Sequence, residues 1–173
     1  MSANNKPFPA KTDNGRIDVR YLRRLPGVPA RRIVEAARAA LNKHALRSLS
    51  VAVVDEATLA ELHDHYLNDP SATDVLSFDL RDDDASDSPI EGEVVVSVDA
   101  ARQQARRLSV DAAEELLRYV IHGVLHLRGY RDDTPARRGA MRRAENRVLA
   151  NLNTTGDTSP KPAICKHNRR QRS

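Results

Sequence analysis

The sequence predicts an α+β protein: one compact domain in which a mixed four-stranded sheet packs with about five helices. Three observations carry that expectation. Short runs of β-branched residues interleave with stretches whose apolar residues recur at helical spacing. A chain of 173 residues, 40% of them apolar, suits a single domain of ordinary size. No internal repeat divides it.

Residues 1–14 carry Pro, Asn and Lys without periodicity and read as a flexible N-terminus. Ile17, Val19 and Tyr21 then alternate with polar residues, which predicts a first strand. Pro29 suits the first turn of a helix that buries Ile33, Ala36, Ala37, Ala40 and Leu41. The β-branched run around Leu49, Val51 and Val53 predicts a second strand, and Asp55 an N-cap for a helix carrying Leu59, Leu62 and Tyr66. Thr73–Leu80 and Glu93–Val98 read as the third and fourth strands. The acidic stretch RDDDASDSPIEG between them lacks the ligand spacing of a metal loop and reads as a solvated hairpin connection. Two helices follow, roughly Asp99–Leu108 and Val110–Leu127, then a turn around Gly129 and a last helix from Pro135 to Leu149.

Composition excludes several classes. No apolar run approaches the ~18–20 residues of a membrane-spanning helix. The opening MSANNKPFPAKTDNG has no hydrophobic segment, so a secretory signal is not expected and a cytoplasmic protein is. Cys165 is the single cysteine, which rules out a cysteine-built zinc site. Residues 151–173 hold five basic residues against the lone Asp157, so this segment carries the whole net charge of +4. It reads as a disordered basic tail, either a sequence-indifferent phosphate contact or a solubilising arm.

The stretch from Glu114 to Asp133 carries the chemistry. On a helical wheel Ala113, Leu116, Leu117, Val120, Val124 and Leu127 form one apolar stripe. His122 and His126, four residues apart, share the opposite face with Glu115, Arg118 and Tyr119. They are either two incidental surface histidines or two metal ligands. Gly129 suits a left-handed helix stop that turns the chain back, and Asp132 follows with Asp133 beside it. Two helical histidines and a third ligand from a returning turn can hold a catalytic metal with one open position. Gly123 stands where a zinc protease needs its glutamate base, which argues against peptidase chemistry.

HGVLHLRGYRD at His122–Asp132 resembles the HGxLHLxGYDH motif of the YbeY-type rRNA maturation endoribonucleases. TDVLSF at Thr73–Phe78 and GEVVVS at Gly92–Ser97 are similar to two strand motifs of that family, and Met141 and Glu145 match its last helix. The resemblance spans residues 15–150. It implies an α+β metal hydrolase that cuts single-stranded RNA, matures the 3′ end of 16S rRNA and serves ribosome quality control. It further implies one divalent metal, zinc, held by His122, His126 and the residue at 132, with rRNA and the small ribosomal subunit as partners.

Two departures stand out. The family's third histidine is Asp132 here, preceded by Arg131 in place of an aspartate. An oxygen ligand offsets part of the cation's charge and favours harder metals such as manganese. Leu67 stands where many members have an arginine thought to matter for cleavage, and an apolar side chain cannot stabilise phosphate charge. An assembly factor with weak or lost nuclease activity is therefore the alternative, and a metal hydrolase of another substrate a third reading. Arg128, Arg131, Arg138 and Arg142 are the candidates for gripping the RNA backbone, against the plainer reading of a solvated helix face. With 3% aromatic residues a base-stacking platform is not expected.

Overall fold

The computed structural model describes residues 14–68, 71, 73–81 and 88–155. The expected flexible N-terminus up to 13, the middle of the acidic loop and the basic tail from 156 onward lie outside the described residues. Four strands, β1 (Asn14–Tyr21), β2 (Leu46–Val54), β3 (Val75–Asp79) and β4 (Ile90–Ser97), form one sheet in the order β1-β2-β4-β3. β1 and β4 both run parallel to β2, and β3 runs antiparallel to β4 at the edge. The helices are α1 (Ala30–Leu41), α2 (Glu56–Leu67), α3 (Val98–Leu108), α4 (Ala112–Leu127) and α5 (Pro135–Thr155).

Helix starts follow the sequence. The side chains of Asp55, Ser97 and Asp111 accept from the backbone N–H of Thr58, Ala100 and Ala113, which caps α2, α3 and α4. Pro29 caps α1 through extended backbone rather than opening its first turn. Several boundaries differ from the sequence reading: α4 begins at Ala112 rather than Val110 because Asp111 caps it, β4 spans Ile90–Ser97 rather than Glu93–Val98, and β3 is confined to Val75–Asp79. β1 begins at Asn14 because that residue pairs with Leu46 on β2. α5 continues to Thr155, beyond the boundary expected at 150, because Leu152 continues the face of Val148 and Leu149 that packs on the core.

The sheet buries both faces over its central strands. Val51, Val53, Val94 and Val96 pack under α1, α4 and α5, while Ala52, Val54, Leu76 and Val95 pack with Leu59 of α2 on the other side. The two-residue alternation of a strand sends neighbours to opposite layers. Tyr66, expected on the buried side of α2, is exposed instead.

α4 is the central helix, in contact with α1, α3, α5, β3 and β4. Its face opposite the apolar stripe is therefore covered rather than open: Glu115 and Tyr119 are buried. Gly123 makes the approach to the sheet possible. A Cβ there would lie 2.5 Å from Val94 Cγ1 and 2.9 Å from Ser77 Oγ. This also explains why no glutamate follows His122. Gly123→Ala is expected to destabilise the fold by about 1–3 kcal/mol through overpacking, read as a lowered melting temperature in calorimetry.

Candidate metal centre and its cleft

Local chain chemistry sets the geometry from the end of α4 onward. Gly129 takes a left-handed φ of 88°, its N–H donating to His126 O at 2.8 Å while Tyr130 N–H donates to Leu125 O at 3.0 Å. This paired stop reverses the chain at the end of α4. α5 starts as abruptly, with Thr134 Oγ1 accepting from Arg137 N–H at 3.2 Å and Pro135 as its first residue. Asp132 sits on the turn between, steadied where Arg138 donates to its backbone oxygen at 3.1 Å.

The result is a convergence of three ligand atoms. His122 Nε2 and His126 Nε2 are 2.9 Å apart, and Asp132 Oδ2 lies 3.6 Å from the first and 3.8 Å from the second. Among the described residues these three form a group able to hold a metal ion. Tetrahedral ligands at bonds of about 2.0–2.1 Å sit roughly 3.3 Å from each other, a spacing the observed distances bracket.

The hydrogen bonds behind the rings strengthen the fit. His126 Nδ1 meets the backbone oxygen of Tyr130 at 3.0 Å, an acceptor only, so that nitrogen carries the proton. His122 Nδ1 donates to Glu145 Oε1 at 2.9 Å. With Nδ1 of each ring engaged outward, both Nε2 atoms turn inward toward a carboxylate oxygen of Asp132. All three inward atoms are able to bind a cation placed between them. A carboxylate or carbonyl behind each imidazole is the usual support of a metal-binding histidine. Burial, followed by the charge of His122, holds the His126 pKa below the usual imidazole value, which keeps its lone pair available near neutral pH.

Glu145, on α5, is 4% exposed and also accepts from Arg118 Nη1 at 3.3 Å and Arg142 Nη1 at 3.1 Å. Burial opposes its ionisation. The His122 hydrogen bond and the charges of His122 and Arg142 outweigh this and hold the carboxyl below the ordinary range. Tyr119, packed beside them, has its phenol pushed far up by burial and then by Asp74 and Glu115.

These groups open into a cleft of about 520 Å³ lined by His63, Asp74, Phe78 and Asp79 as well as the trio. Arg131 is the only Lys or Arg lining it among the described residues. Of the other candidate arginines, Arg138 donates to the backbone oxygen of Asp132, and two stand further off. Arg128 Nη1 donates to Ala40 O at 2.6 Å, at the end of α1, and Arg142 is engaged with Glu145. Asp133 pairs with Arg137 at 2.7 Å, so Asp132 and not Asp133 reaches the histidines. Leu67 is the last residue of α2, and its side chain lies outside the described residues. Sequence reading missed His63, whose Nδ1 donates to Ser71 O at 2.8 Å. Nothing in its spacing from the pair marks it. It also took Glu145 only as a matched position, although a carboxylate one α-helix away from a histidine pair is the support such a pair needs.

A helical histidine pair and a returning carboxylate in the open cleft of an α+β fold are the donor set of a divalent-metal enzyme. The profile of the endoribonuclease YbeY family matches residues 26–153, and the chain belongs to that family. The endoribonuclease YbeY of Thermobifida fusca is 37% identical over 135 residues, 72% of this chain and 87% of its own length. That of Salinibacter ruber is 40% identical over 109 residues, covering 60% and 69% respectively. The solution structure of a Thermotoga maritima protein superposes with a TM-score of 0.54 over 86% of this chain and 99% of its own, at 23% identity. That last likeness is one of fold.

Proposed function

We propose that this chain is an endoribonuclease of rRNA processing, cutting single-stranded RNA with a divalent cation held by His122, His126 and Asp132. The convergence of those three ligand atoms on one point of the cleft carries the reading. The family relatives bear the endoribonuclease name, which favours it over an assembly factor without nuclease activity. Maturation of the 16S 3′ end on the small ribosomal subunit is the process we infer. The cytoplasm is the inferred compartment, and no helix among the described residues is long and apolar enough to cross a membrane. We infer a catalytic domain over residues 15–150, with α5 running on to Thr155 and a basic tail after it.

When bound, a divalent cation supplies positive charge that polarises a phosphoryl oxygen and makes water more acidic. Zinc fits the two imidazoles, while the carboxylate of Asp132 widens the choice toward manganese. The protein's own residues do the rest. Glu145 and the Tyr130 carbonyl fix the two rings, so the donor atoms need no reorganisation when substrate arrives. Asp74, Asp79 and Asp132 make the cleft acidic. Arg131, which lines this cleft, is our candidate to meet a phosphate there. Arg131→Ala is expected to lower kcat/KM for RNA about tenfold, the scale of one charged hydrogen bond, with bound metal unchanged. Steady-state cleavage with metal analysis of the same sample checks it.

The function is tested by incubating precursor 16S rRNA with the wild type and with His122→Ala. Defined cuts by the wild type alone are the expected result. Equal background from both would refute a metal-dependent nuclease.

A further inference from the structure

Tyr66 is 61% exposed in the last turn of α2. Beneath it Phe78 packs with Leu62 against the cluster of Leu59, Leu76 and Val95. The Tyr66 and Phe78 rings meet edge to face, centroids 5.1 Å apart and planes at 62°. His65 meets Tyr66 in the same manner at 4.9 Å and 87°. Edge contacts hold a ring in place without covering it as a parallel stack would. The Tyr66 hydroxyl has no hydrogen-bond partner among the described residues, so no polar contact accounts for its position. Phe78 also lines the cleft that holds His122, His126 and Asp132. The two rings therefore form a step running from the cleft to solvent.

We propose that Tyr66 is the stacking surface for an unpaired base of the RNA whose backbone enters the cleft, a reading that rests on the endoribonuclease function. A base within a duplex has both faces covered by its neighbours, so only a single strand presents a face to the ring. The contact selects strand state and not sequence, because every base has a π face. It also revises the expectation drawn from composition. The chain has only two phenylalanines and four tyrosines, and the fold brings one of each to the same edge of the cleft. A protein would be the other occupant of an exposed aromatic side chain. Continuity with the cleft through Phe78 favours the nucleic acid.

The test is fluorescence anisotropy of a labelled single-stranded RNA oligonucleotide and of the same sequence as a duplex, with cleavage followed in parallel. Tyr66→Ala should weaken single-strand binding about tenfold, whereas Tyr66→Phe stays within about twofold of wild type, and duplex binding is equal for all three. A series of oligonucleotides with one abasic nucleotide moved along the strand should contain a position at which wild type and Tyr66→Ala bind alike. A merely structural role for the ring would not single out one nucleotide. Equal single-strand binding by wild type and Tyr66→Ala overturns the proposal. So does a loss shared equally by the duplex, or a loss of binding to purified small subunits with RNA affinity intact. Base-dependent binding by a wild type that never cuts would keep the stacking surface and refute the nuclease. Cutting with unchanged Tyr66→Ala binding would do the reverse.

Discussion

His126→Ala is expected to abolish RNA cleavage while leaving the fold standing. His126 offers one of the three atoms able to hold a metal ion, and its Nε2 lies 2.9 Å from that of His122. Loss of a residue that merely supports a ligand costs about 10–100-fold in metal affinity or activity, so loss of the ligand itself should exceed about 100-fold. The half-buried ring sits near the end of α4, where alanine is an excellent helix former. The Tyr130 carbonyl loses its donor but lies on a turn that water reaches. Melting temperature should therefore stay close to wild type while bound metal and cleavage fall together. A variant that cuts RNA at near wild-type rate would remove His126 from the machinery.

The second large effect is on stability. Glu145→Ala deletes a buried carboxylate that receives hydrogen bonds from His122, Arg118 and Arg142. The Arg118 side chain is only 11% exposed, so it is left as a buried cation with fewer partners. Breaking such a pair costs about 3–5 kcal/mol. Asn146 at 2.7 Å and Glu115 at 3.4 Å still engage Arg118, which places the expected loss near the lower end. About 3 kcal/mol corresponds to a melting point lowered by roughly 6–12 °C for a domain of this size. Calorimetry reads that directly. The sign of the pH effect follows from the lowered pKa of Glu145. Its contribution is present above the unfolded carboxyl value and is lost as pH falls through the folded one, so wild type and variant should converge only in acid.

Much of this was legible because it is local. The histidine pair follows from helical periodicity, and Asp132 follows from Gly129, whose left-handed φ turns the chain back. The cap at Asp55 was readable for the same reason, acting over three residues, whereas the α4 cap at Asp111 lay inside the helix expected from Val110. What was not legible depends on distant partners. A helical wheel separates the Glu115, Arg118 and Tyr119 face from the apolar stripe but does not say that α5 covers it. The burial of Glu145 against His122 joins residues 23 apart in sequence. Arg128 looked placed for RNA because it neighbours the motif, yet its guanidinium reaches the end of α1, 88 residues away. Tyr66 read as a core residue from helical spacing, while the sheet edge leaves its ring in water.

The most direct test of the central claim is bound metal per chain after gentle purification and reloading with zinc or manganese, in wild type, Asp132→Ala and Asp133→Ala. Asp132 faces the histidines at 3.6 and 3.8 Å, whereas Asp133 is tied to Arg137. We predict near-stoichiometric metal in wild type and Asp133→Ala, and its loss in Asp132→Ala. A wild type that takes up neither metal, or an Asp132→Ala variant that retains it while Asp133→Ala loses it, would contradict the two-histidine, one-aspartate centre.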